Sequence, residues 1–155
     1  MFLKRLIVFL FLSLFTVYVY SQWTDDEIYN ANTGATASVL TKEEKKVVVY
    51  VNIARLYPKK FLQMVVKNYE RPSGFTTIDK GSRYYTSLVS TLSYMHSTYA
   101  LNFDISMYYY AKCWAEEMGR KGIIGHNRIS CIDGYFSECC QYGYSLGRDI
   151  VFALS

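Results

Sequence analysis

Only two histidines occur in the 155 residues, His96 and His126, and the chain has no G-x-S-x-G, no Walker loop and no H-E-x-x-H. The signatures of serine hydrolases, phosphate-loop NTPases and zincins are therefore missing. No C-x-x-C pair occurs either, so the four cysteines do not follow the spacing of common zinc modules. There is no internal repeat and no dense block of Lys or Arg, and the scattered basic residues predict no grip on nucleic acid. What the chain does carry is concentrated at its two ends.

Met1-Phe2-Leu3-Lys4-Arg5 precedes an uncharged, mostly apolar run, Leu6 to Tyr20, and Ser21 offers the small residue that a signal peptidase requires. A membrane helix needs about 20 apolar residues. The expectation is therefore a signal peptide at 1–21 and no stable membrane anchor after cleavage, which makes the product secreted or periplasmic. Taking 21 residues from 155 leaves 134, enough for one domain. Without Lys4 and Arg5 the formal charge of +4 falls by two, to +2.

Cys113, Cys131, Cys139 and Cys140 remain in an oxidising compartment, which makes disulfides the expected use of all four. Four cysteines allow three pairings, and a bond between the adjacent Cys139 and Cys140 would be strained, so each is expected to reach elsewhere. A structural zinc is the rival reading.

Residues 22–40 are polar and rich in small side chains, and read as a linker. Thr41 and Glu44 then form a capping box for a helix running to about Leu56. Pro58 suits the first turn of a second helix, to about Asn68, and residues 70–83 form a loop. Further helices are expected at 84–99 and at 105–120, the latter capped by Asp104 or Asn102 and ended by Gly119 and Gly122. A short aromatic stretch bounded by glycines, Tyr135–Tyr142, suits a strand, and a last helix is expected at 146–154. On such a strand Glu138 and Cys140 share one face and Cys139 takes the other. His96 and the adjacent Glu116 and Glu117 read as solvated surface groups. His126, in a loop, and Glu138 could meet across a cleft as part of a metal or acid–base site.

The order of motifs resembles the CAP superfamily of cysteine-rich secretory, antigen 5 and pathogenesis-related proteins, and most of all its bacterial members. Glu44 to Val47, Asn52-Ile53-Ala54-Arg55 and Pro58 resemble the first family helix with its N-x-x-R segment. Leu101 to Asp104, Ala111, Ala115, Met118 and Gly125-His126 resemble the second helix and the glycine–histidine that ends it. Ser137-Glu138-Cys139, Tyr142-Gly143-Tyr144 and Asp149 to Val151 resemble the G-E-N-I segment, its Y-G turn and the following helix, with serine and cysteine replacing the first glycine and the asparagine.

This resemblance implies an α/β fold, an α-β-α sandwich over residues 41–155, with the C-terminal strands missing and the sheet incomplete. It assigns His126 and Glu138 to one half of a cleft that in some full-length relatives holds a divalent metal such as zinc. Two protein ligands alone would bind zinc weakly. The expected function is a binding module, its cleft taking a small apolar molecule, a peptide or a cell-envelope component. The alternatives are a metal-dependent, hydrolase-like enzyme and an inactive truncated fragment.

Overall fold

The structure, a computed structural model, describes residues 23–132 and 137–154. The signal peptide expected at 1–21 lies outside the described residues. Six α-helices follow one another among the described residues: α1 (Asp25–Ala31), α2 (Lys42–Leu56), α3 (Pro58–Phe61), α4 (Arg83–Tyr94), α5 (Ile105–Lys121) and α6 (Gly147–Leu154). Among the described residues no helix is long and apolar enough to cross a membrane.

Each start has a local cause. The Thr41 hydroxyl accepts the Glu44 amide at 3.2 Å, and the Glu44 carboxylate accepts the Thr41 amide at 2.6 Å, closing the expected capping box. Thr24 and Glu27 build the same box for α1, a helix inside the stretch expected to be a linker. Glu27 also pairs with Lys60 at 2.6 Å, which ties α1 to α3. Pro58 opens α3, and after one turn the chain widens into a π-helical turn, Leu62–Val66, in place of α-helix to Asn68. That turn buries Leu62, Val65 and Val66 together. Asp104 caps α5 by accepting the Met107 amide at 2.9 Å, and Gly122, at φ 64°, ends it in the left-handed region.

The core forms where α1 and α6 pack on α2, and α3 with its π-turn packs on α4. Its buried members include Ile53, Phe61, Leu62, Val66, Leu92 and Val151. Gly147 lets α6 approach α2 closely, because a Cβ there would lie 2.7 Å from the Glu43 carbonyl oxygen. The Gly147 amide donates instead to the Glu43 carboxylate at 3.0 Å.

The segment between α4 and α5 is held by the Asn52–Arg55 stretch of α2. Fully buried Asn52 donates to the Ala31 and Leu101 carbonyls at 2.9 and 3.0 Å, and its side-chain carbonyl accepts the Leu101 amide at 2.7 Å. Arg55 donates to the Tyr99 carbonyl at 3.0 Å, and its own carbonyl accepts the Thr98 amide.

The α/β sandwich expected from the resemblance is not what forms: the described residues are helical, with no strand and no sheet. Residues 133–136 lie outside the described residues, and residues 137–142, the rest of the expected strand, run as irregular chain. A lone strand leaves its N–H and C=O groups without a ladder partner, so a strand-like composition is not enough to make one. The helix expected at 84–99 also stops at Tyr94, and exposed His96 lies beyond it in irregular chain.

Candidate metal centre

α5 supplies the platform beneath the site. Trp114, buried on its inner side, donates from Nε1 to the Gly125 carbonyl at 3.2 Å. Immediately before it in α5, Cys113 bonds to Cys131, with a Cα–Cα separation of 5.9 Å. About one turn further along α5 sits Glu117. Its carboxylate accepts the Ser130 amide at 3.0 Å, the Ile129 amide at 3.2 Å and the Ser130 hydroxyl, and it pairs with Lys121 at 2.7 Å.

Glu117 is fully buried, which corrects the expectation of a solvated glutamate; its neighbour Glu116 is 57% exposed. The Lys121 ammonium and the Ser130 hydroxyl outweigh the cost of burial and hold the Glu117 carboxyl far below its ordinary range. The loop after α5 is thus anchored by a disulfide, an indole N–H and a buried carboxylate.

That loop carries His126, and residues 137–142 fold back across it. His126 Nδ1 lies 3.1 Å from Glu138 Oε1 and 3.6 Å from Cys140 Sγ. The Cys140 thiol donates to the same Glu138 oxygen at 3.2 Å. The other oxygen, Oε2, is taken by Arg128, which is 9% exposed, lies over the Trp114 ring and donates to the Tyr110 carbonyl at 3.0 Å. The Tyr142 hydroxyl accepts the Gly125 amide at 2.9 Å, fastening the returning segment beside His126.

His126 and Glu138 are therefore brought together as expected, and a third group, Cys140, joins them. Ligand atoms of the three lie within 4.8 Å of one another. The alternation expected of a strand survives without a sheet, since Glu138 and Cys140 are half-buried while Ser137 and Cys139 are exposed. That period-two pattern puts Glu138 and Cys140 on one face, and the two do lie together although no strand forms. The expectation that all four cysteines brace the fold is corrected: Cys113 and Cys131 pair, whereas Cys139 and Cys140 carry free thiols.

The local electrostatics follow from the packing. Burial pushes the Glu138 carboxyl up, but hydrogen bonds from Cys140 and His126 and the charge of Arg128 outweigh it and leave the group below its ordinary range. Burial and the adjacent Glu138 carboxylate both push the Cys140 thiol up. Both Glu138 and Cys140 approach the same ring nitrogen of His126. A nucleophile relay needs the thiol on one nitrogen and the carboxylate on the other, so the arrangement does not match a cysteine–histidine–glutamate triad.

The chain matches no protein-family model, no curated protein and no solved structure. Its site is read from its own geometry.

Proposed function

We propose that the chain is an exported binding module that holds a divalent metal of the zinc class through His126, Glu138 and Cys140. The observation that carries this reading is the convergence of one nitrogen, one oxygen and one sulfur donor on a single point. Tetrahedral zinc with bonds of about 2.0–2.3 Å sets its ligands roughly 3.3–3.8 Å apart. The observed separations of 3.1, 3.2 and 3.6 Å lie close to that range. Arg128 fills the supporting role, since by holding Oε2 it turns Oε1 toward the other two donors.

Three protein ligands leave a fourth position for water or a bound molecule, and His126, 60% exposed, puts that position within reach of solvent. Of the functions expected at the outset, the binding module gains most. Hydrolysis would need a base beside the open position, and the cluster offers none, because Glu138 is engaged on both oxygens. The CAP resemblance adds the pairing of His126 with Glu138 but not Cys140, and it rests on its short motifs alone.

Calorimetric titration of the mature chain with zinc tests the proposal. Saturable one-to-one binding is expected, weakened at least tenfold in His126→Ala, Glu138→Gln and Cys140→Ser. Cobalt should give a thiolate-to-metal absorption band that Cys140→Ser abolishes. Absence of saturable binding, or binding indifferent to Cys140→Ser, would refute the three-donor site.

A further inference from the structure

A recess on the described surface, apolar in part and fringed by hydroxyls, lies between α4, the loop over residues 71–79 and the end of α6. Its volume is about 640 Å³, the size of a site for a small organic ligand. Its chemistry is unusual in one respect. Seven of its thirteen lining residues carry a hydroxyl, among them Thr77, Ser87 and Thr91 and the tyrosines Tyr84, Tyr85 and Tyr144.

A hydroxyl both donates and accepts, and a tyrosine adds an apolar ring face beside its polar tip. That pairing suits a ligand whose own surface alternates hydroxyls with apolar C–H faces. Tyr84 is 81% exposed, so its ring is presented to solvent. Tyr144 is held in place by stacking on Phe75, with ring centroids 4.5 Å apart.

Charge narrows the ligand further. The recess opens at the N-terminus of α4, where an anion would ordinarily be favoured. Ser82 already caps that end by accepting the Tyr85 amide at 3.3 Å. Asp79 stands on the same rim and accepts the Gly81 amide at 2.9 Å, so a second carboxylate or phosphate would meet a negative charge. Arg71, directed by its bonds to Thr76 at 3.1 Å, balances Asp79. One cation and one anion leave the lining neutral, and both are groups that hydrogen-bond to vicinal hydroxyls.

We propose that this recess binds a neutral saccharide, with Tyr84 and Tyr144 as stacking faces and Asp79 and Arg71 as the polar clamps. The assignment is independent of the metal centre and stands whether or not that centre binds zinc.

The test is titration of the mature chain, followed by calorimetry and amide chemical shifts, with three neutral trisaccharides: N,N′,N″-triacetylchitotriose, cellotriose and maltotriose. A sulfated disaccharide and inorganic phosphate serve as anionic probes. At least one neutral trisaccharide should bind saturably with Kd under about 1 mM, the range of a few well-placed contacts. Affinity should fall at least tenfold in Tyr84→Ala and Asp79→Asn and stay within twofold in His126→Ala. Tyr84 is exposed, so its removal leaves the fold standing, and unchanged amide dispersion checks this. Preference for an anionic probe, failure of all three trisaccharides to saturate, or binding untouched by Tyr84→Ala would each overturn the assignment.

Discussion

Helices α1–α4 and α6 bury Ile53, Phe61, Val66 and Val151 against one another, while α5 and residues 122–132 and 137–142 leave Ile124, Ile129 and Ile132 in solvent. The first region is held by apolar burial and by side chains that satisfy backbone groups from inside, as Asn52 does. The second has little apolar core of its own. It is held by a covalent bond, a buried carboxylate and an arginine, each fixing one point of an otherwise irregular chain. The difference separates the residues that stabilise the fold from those that shape the site. Substitutions in one region should therefore leave the other largely alone.

The strongest challenge to that separation is Asn52→Ala. It would leave the Ala31 carbonyl and the Leu101 amide without their side-chain partner, while the Leu101 carbonyl keeps the Thr33 hydroxyl at 2.7 Å. At 1–3 kcal/mol for each buried group left unmet, a loss of about 4 kcal/mol is expected, read as a fall in the urea midpoint. Retention of wild-type stability would mean that the segment around Leu101 is held by something other than α2.

Next in size is removal of the Cys113–Cys131 bond by paired serine substitutions. Cross-linking residues 18 apart in sequence is worth about 3 kcal/mol by the chain-entropy account. Here the loss should fall on the loop, with faster hydrogen exchange over residues 122–132 than over α2 and weaker zinc binding. Uniform destabilisation of α2 and the loop would show that the two regions unfold as one.

Glu117 gives the same comparison a pH dependence. Its carboxyl is held below the ordinary value of 4.5 by Lys121, Ser130 and the loop amides. A depressed folded-state value contributes stability that is fully present above the unfolded-chain value and drains as pH falls below it. Acidification below about 4.3 should therefore loosen residues 122–132 before α2, and Glu117→Gln should flatten that response. Amide exchange measured between neutral and acidic pH checks the order, and simultaneous loss of both regions would contradict it.

How much of this was legible follows the same division. The Thr41–Glu44 box, Pro58, Asp104 and Gly122 act locally, within one turn of chain, and each lies where its residue type predicts. The Thr24–Glu27 box was equally local, yet the small polar residues after it favoured a linker over a seven-residue helix. The strand at Tyr135–Tyr142 depended on a partner elsewhere in the chain, which composition cannot supply. Glu117 looks like Glu116 in sequence; only the return of residues 129–131 over α5 makes one buried and the other exposed. In the site, His126 and Glu138 were legible through the motif order, whereas Cys140 was absorbed into a disulfide expectation drawn from the compartment alone.

The smallest expected effect is also the one that most sharpens the contrast. His126 is mostly exposed, and its contact with Glu138 is a partly solvated pair, a kind of interaction worth at most about 1 kcal/mol. Cys140 forms no disulfide, so Cys140→Ser removes no cross-link. Metal-free His126→Ala and Cys140→Ser should therefore unfold within about 0.5 kcal/mol of the parent chain, as surface substitutions do. With zinc present the parent should gain stability as ligand concentration rises above Kd, because binding favours the folded state by mass action. The two variants should gain much less. Thermal melts with and without zinc read both quantities in one series. A variant that melts far below the parent without metal would place these residues among the groups holding the fold; equal zinc stabilisation of parent and variants would remove them from the site.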